Sequence, residues 1–255
     1  MKRVLTALGL APVVLYVVLW SPDWAVLGVT AIVALLCYHE FSGIAAAYQA
    51  GKLGPLGYAA GLVILWRPLE SMSLLVVVAL IALGLALAAA DLRTGIVRAA
   101  FLMLGVVYVF GCWRYAPLLR AENRYWLLYA LVLNWVGDIG AYYVGRRFGR
   151  HKLAPVVSPG KSWEGAAASL AVSMIFGYFF LRWALPAVPA IAALGLTAAA
   201  NVAGQIGDLA ESALKRGGGV KDSGTLLPGH GGMLDRVDST LFTLPVVYFY
   251  VAGRW

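Results

Sequence analysis

The sequence predicts an all-α, polytopic integral membrane protein of about nine transmembrane helices. Three observations carry that prediction. Apolar residues make up 62% of the chain and charged residues only 13%, against roughly half and a quarter in an ordinary soluble domain. Apolar stretches recur at lengths near the roughly 20 residues that a membrane-spanning helix needs. The breaks between them hold proline, glycine and charge, which end helices.

The expected spans are 4–20, 24–46, 53–66, 72–90, 96–113, 125–145, 165–183, 188–210 and 239–253. The first follows Met1-Lys2-Arg3 as a signal peptide would, but no small-residue cleavage site follows Trp20 and further spans come after, so a retained helix is expected. The breaks are Ser21-Pro22-Asp23, Gly51 to Pro55, Arg67-Pro68, Asp91 to Gly95 and Pro186 to Pro189. The third span is short. Cys37 and Cys112 each lie inside an apolar stretch and read as small buried hydrophobes, with no metal-ligand spacing and no disulfide framework.

Two spans carry polar stripes. In the sixth, Asn134 and Asp138 are four apart, and Gly137, Ala141 and Gly145 form a ridge of small residues for close helix approach. In the eighth, Asn201, Gln205, Asp208 and Ser212 fall on one helical face, which Lys215 extends into the following loop. Gly204 and Gly207 leave room there for another backbone. Asn134 and Asn201 read first as interhelical hydrogen bonders. Asp208, at the membrane border, reads as a ligand for a hard cation, which chooses oxygen donors. Residues 1–120 are nearly devoid of charge inside the apolar spans, and His39-Glu40 is the exception; it reads either as a structural pair or as a substrate-facing point.

Charge placement sets the orientation. The chain carries a net charge of +8. With the N-terminus in the cytoplasm, 14 of the 20 Lys and Arg lie on the inside and six outside, as the positive-inside rule requires. Arg114, Arg120 and Arg124 fit that scheme poorly. Seven of the twelve acidic residues lie at or after Asp138. The expected division is therefore an N-terminal packing bundle, 1–120, and a C-terminal catalytic half, 121–255, with cytoplasmic loops 146–164 and 211–238.

Both loops suit phosphate. The string Gly160-Lys161-Ser162 is not a nucleotide-hydrolase loop, because the glycine that motif needs is Pro155 here. Ser158, Lys161 and the capped start of a helix near Trp163 still suit an anion. Arg146, Arg147, Arg150 and Lys152 read as a membrane-surface anchor compatible with lipid-phosphate binding. From Ser212 to Asp238, 27 residues hold four cations, three aspartates, a histidine and seven glycines. Cations, carboxylates and exposed glycine backbone together suit a metal-assisted phosphate site. Asp208, Asp235 and Asp238 are the expected metal ligands if the loop folds back, with Asp222 a fourth. Lys215, Arg216, Lys221 and Arg236 are the expected phosphate holders. His230, between two glycines, is a candidate for phosphate contact or acid–base work.

The stretch Ser212–Asp238 resembles the signature of the phosphatidate cytidylyltransferases, also called CDP-diacylglycerol synthases. The matching positions are Ser212, Lys215, Arg216, Lys221, Asp222, Pro228, His230, Gly231, Gly232, Asp235, Arg236 and Asp238. The resemblance extends upstream through Gly207-Asp208-Leu209, Ser158 to Ser162 and Asp138, and covers 134–240 well. It implies transfer of CMP from CTP to phosphatidate, giving CDP-diacylglycerol and pyrophosphate. It implies Mg²⁺, with a second cation possible, and an all-helical protein of the bacterial inner membrane, with its site on the cytoplasmic side. It also implies a homodimer as the assembly and no nucleic acid as a partner. The alternatives are a CTP-dependent cytidylyltransferase or kinase acting on another isoprenoid or ether lipid. A transporter with Asp138 and Asp208 in an ion pathway, and a non-catalytic lipid scaffold, are further readings.

Overall fold

The computed structural model describes residues 2–66, 71–226 and 231–253. The break expected at Arg67-Pro68 lies outside them. The expected spans fall in order on α1 (Lys2–Trp20), α2 (Asp23–Ala47), α3 (Pro55–Trp66), α4 (Ser71–Leu87), α5 (Leu92–Gly105, continuing through a π-helical stretch Val106–Gly111), α7 (Arg124–Phe148), α8 (Trp163–Ala184), α9 (Ala190–Gly217) and α10 (Leu234–Val251). A short helix, α6 (Tyr115–Glu122), was not anticipated. Five stretches are long and apolar enough to cross a membrane, Asp23–Ala47, Leu92–Glu122, Arg124–Phe148, Trp163–Ala184 and Ala190–Gly217, beside three shorter apolar helices. The chain is an all-α, polytopic membrane protein.

The helix ends are where the sequence punctuates. Asp91 accepts from the amides of Arg93 (3.2 Å) and Thr94 (3.1 Å), capping α5. The Thr94 and Arg93 amides hold its carboxyl below the ordinary value. Asn123 caps α7 through the Tyr125 amide at 3.0 Å, and Ser162 caps α8 through the Gly165 amide at 3.2 Å. At the end of α9 the Val220 amide returns to the Lys215 carbonyl at 2.9 Å, a reversal that Gly219 allows with φ of +73°.

Two of the three cations that fit the charge scheme poorly have a local task. Arg120 donates to the carbonyls of Val18 (2.7 Å) and Ser21 (3.2 Å), and Arg124 to Leu19 (2.9 Å). These carbonyls end α1, where no further turn satisfies them and the helix dipole is negative. The two arginines are helix caps, which explains their position without moving any span.

A two-stranded antiparallel hairpin, β1 (Lys152–Ala154) and β2 (Ser158–Ser162), was also unforeseen. Pro155 and Pro159 hid it, since proline argues against a strand; a hairpin of two edges tolerates it. The carboxylate of Glu164 fixes the hairpin's base, accepting from the amides of Arg150 (3.1 Å) and His151 (3.2 Å).

The chain forms two compact units. One comprises Met1–Ala11, Pro22–Pro117 and Leu214–Val237; the other comprises Pro12–Ser21, Leu118–Ala213 and Asp238–Trp255. The division therefore does not follow a single boundary near residue 120: the segment 214–237 packs with the N-terminal helices. Tyr38, Phe41, Phe110 and Ile44 fill the core of the first unit. Tyr129, Leu133, Leu181, Leu196, Leu241 and Leu244 fill that of the second. The small-residue ridge works as expected there. A Cβ on Gly137 would stand 2.7 Å from Ser169 Oγ and 2.8 Å from Asn201 Nδ2, so α7 lies directly on α8 and α9.

Candidate functional site

Within the second unit, α7, the hairpin, α8, α9 and the start of α10 enclose a cavity of about 580 Å³. Asn134 and Asp138 line it from α7, Lys161 from β2, Ser169 from α8, Asn201, Gln205 and Asp208 from α9, and Ser239 from α10. The polar stripe of α9 points into it.

The inner end of that stripe is a hydrogen-bond lattice. Asn201 donates to Ser169 Oγ and Ser173 Oγ, both at 3.0 Å, and accepts from Gln205 Nε2 at 2.7 Å. Asn134 accepts from Thr243 Oγ1 at 3.0 Å. Both asparagines tie helices together, as read from the sequence, and both border the cavity as well. Buried amides in an apolar bundle need such partners.

The outer end is charged. Lys161 Nζ lies 2.6 Å from Asp208 Oδ2. Ser212 Oγ approaches Asp208 Oδ1 at 3.4 Å. Asp238, half-buried at the head of α10, sits within electrostatic range of Asp208, Asp138 and Lys161. The closeness of α9 and α10 depends on Gly207, where a Cβ would meet the Asp238 carbonyl at 2.7 Å. Asp138 and Asp208 thus line the cavity with Asp238 in electrostatic range, a carboxylate-rich group beside Lys161 that suits a cation. Arg146, read from sequence as a surface anchor, is a wall of the same cavity. It donates to Tyr142 Oη at 2.8 Å and lies over that ring at 5.9 Å. Ser158 stands on β2, paired with Ala154.

In the first unit the signature segment wraps around a buried ion pair, Lys215 Nζ with Asp235 Oδ1. The Ser223 amide donates to both Asp235 oxygens (3.3 and 3.1 Å) and the Gly232 amide to Oδ2 (2.8 Å). Gly231 makes this possible with φ of +78°, and a Cβ there would stand 2.6 Å from Asp235 Oδ2. Arg216 donates to the Val220 carbonyl at 3.0 Å, closing the turn after α9. Lys221, Asp222 and Arg236 are exposed. His230 lies outside the described residues.

The expected metal ligands fall in both units, Asp235 in the first and Asp208 and Asp238 in the second. Among the described residues no group of three or more His, Cys, Asp or Glu side chains is arranged to hold a metal ion. Asp235 is occupied by a lysine and two loop amides. Asp208 lines the cavity with Asp238 in electrostatic range, and a Mg²⁺ ion typically takes one or two carboxylates and completes its shell with water and phosphate oxygens. The donor set therefore fits a hard dication through a pair.

Sequence reasoning undervalued Glu40. Its buried carboxylate accepts from Ser223 Oγ (2.9 Å) and from the amides of Met233 (2.9 Å) and Leu234 (2.8 Å). The signal was present: a carboxylate inside an apolar span, in a region with almost no other buried charge.

A family model described as "Cytidylyltransferase family" matches residues 1–253. A phosphatidate cytidylyltransferase of Bacillus subtilis (strain 168) is 43% identical over 155 residues, 60% of this chain and 58% of that protein. Phosphatidate cytidylyltransferases of Staphylococcus aureus (strain COL) and Staphylococcus haemolyticus (strain JCSC1435) are each 42% identical over 155 residues, 61% of this chain and 60% of theirs. The aligned portion thus spans less than two thirds of these relatives' own length.

Proposed function

Because this chain belongs to the cytidylyltransferase family, we propose that it transfers CMP from CTP to phosphatidate, releasing pyrophosphate. The observation that carries this reading is the 580 Å³ cavity lined by Asp138, Asp208 and Lys161, with Lys161 on Asp208 and Asp238 within electrostatic range of both aspartates. The name of the bacterial relatives supports the choice of lipid.

The chemistry asks little of a protein nucleophile. A phosphatidate oxygen, already ionised at neutral pH, attacks the α-phosphorus of CTP; the new P–O bond forms as the bond to the β-phosphate oxygen breaks, and pyrophosphate leaves. Catalysis is then positioning and charge neutralisation of two polyanions. Lys161, released from Asp208, binds phosphate oxygens, and Ser158 and Ser212 add hydroxyl contacts. Lys215, Arg216, Lys221 and Arg236 hold the triphosphate and the departing pyrophosphate. Asp208 and Asp238 would hold Mg²⁺, which when bound supplies positive charge to the two phosphates; Asp138 would be the carboxylate for a second cation. Asp235 serves by fixing Lys215, and Asp222 remains a surface candidate for the metal. His230 is assigned to phosphate contact.

The cation bias and the bacterial relatives support an inner-membrane protein whose site faces the cytoplasm, where CTP is found; a homodimer is the assembly that the family resemblance implies. The test is purified protein in phosphatidate micelles with Mg²⁺ and CTP carrying label in the α- or γ-phosphate. Label from the α-phosphate in lipid, with stoichiometric pyrophosphate, is the expected result. Folded protein that passes only γ-label to lipid would establish a kinase instead.

A further inference from the structure

The signature segment contains its own ligands for phosphate, yet what gives it its shape lies some 180 residues earlier in the chain. Glu40 projects from α2 and takes three donors at once. Oε2 accepts from Ser223 Oγ (2.9 Å) and the Leu234 amide (2.8 Å), and Oε1 from the Met233 amide (2.9 Å). Ser223 lies near the middle of the segment, and Met233 and Leu234 lead into α10. One carboxylate therefore closes the loop between them. The loop is built around it: a Cβ on Gly224 would stand 2.7 Å from Glu40 Oε1, and one on Gly232 would stand 2.3 Å from Glu40 Oε2 and 2.1 Å from Ser223 Oγ. Ser223 is shared, its hydroxyl bound to Glu40 and its amide to Asp235. Asp235 in turn holds Lys215.

We infer that Glu40 is a positioning residue, whose carboxylate fixes the signature segment so that Asp235 and Lys215 are held in register. This rests on the proposed transfer reaction, in which Lys215 meets phosphate. Glu40 touches no substrate in this scheme.

The chemistry predicts a sharp difference between a carboxylate and a carboxamide. In Glu40→Gln, whichever oxygen becomes an NH₂ group faces a backbone N–H, of Met233 or of Leu234, so one amide loses its acceptor in either orientation. Ser223→Ala removes only the hydroxyl contact and leaves both amides bound.

Two measurements on the full-length protein test this. Hydrogen exchange, which needs no substrate, is expected to quicken at least tenfold at Ser223, Met233 and Leu234 in Glu40→Gln, with α7 and α8 unchanged. Turnover at saturating CTP and phosphatidate is expected to fall tenfold or more, with either KM changed less than threefold, while Ser223→Ala loses less than fivefold. Unchanged exchange at those three amides overturns the inference, as does wild-type kcat in Glu40→Gln. If that variant does not fold, Glu40→Asp decides: its shorter carboxylate cannot reach all three donors, so quickened exchange at Met233 and Leu234 confined to the segment supports the inference, and wild-type exchange at both overturns it. Failure of wild-type protein to transfer CMP would sink the reaction and leave the exchange result standing as the test of Glu40.

Discussion

Asp208 and Asp238 are two carboxylates within electrostatic range of one another, with Asp138 also in range and Lys161 paired to Asp208. Such repulsion destabilises a fold unless it serves a bound cation. Asp238→Asn is therefore expected to lower CMP transfer by about 10²–10³-fold while leaving the melting temperature in detergent unchanged or raised. Lost activity with a lowered melting temperature would mark Asp238 as structural. Lys161→Ala is expected to raise the KM for a phosphorylated substrate about tenfold or more, with the protein still folded, since one charge-assisted phosphate contact contributes on the order of 1.5–3 kcal/mol net of water. A kinetic comparison with CTP and phosphatidate varied separately shows which substrate it serves.

At the scale of elements, the site depends on helix ends and close crossings. Ser162 starts α8 beside Lys161 and is buried. Ser162→Ala is expected to cost about 1 kcal/mol, read as a lower midpoint in chemical denaturation, and to weaken phosphate binding because the hairpin's exit strand loses its anchor. Gly207→Ala pushes a methyl against the Asp238 carbonyl and Phe242, at 2.7 and 3.0 Å. Overpacking of this kind costs roughly 1–3 kcal/mol. The variant is expected to lose activity along with stability, because parting α9 from α10 parts Asp208 from Asp238. A Gly207→Ala enzyme with wild-type turnover would show that the two aspartates need not meet.

For the whole molecule, the expected consequences concern metal and membrane. Removal of divalent cations by EDTA is expected to stop pyrophosphate release, and Mg²⁺ to restore it, with the helix content by circular dichroism unchanged throughout. A cysteine at the exposed hairpin position Val156 is expected to react with an impermeant maleimide from the cytoplasmic face alone. Reaction from the opposite face would reverse the orientation drawn from the cation bias.

What the sequence determined by itself is whatever depends on local pattern. Hydropathy located the helices, since a run of apolar residues has few places to go but a bilayer or a helical core. Spacing put Asn201, Gln205, Asp208 and Ser212 on one face, and small residues at 137 and 207 foretold close crossings. Capping chemistry placed the start of α8. Tertiary structure decided the rest, because those outcomes depend on which distant partner each charge meets. Asp235 met Lys215 and loop amides, and left the metal to Asp208 and Asp238 in the proposed scheme. Arg120 and Arg124 met the open carbonyls of α1. Glu40 met the amides of Met233 and Leu234 from 193 and 194 residues away. A carboxylate in an apolar span announces that it has a partner, since burial without one is too costly, but only the fold says which.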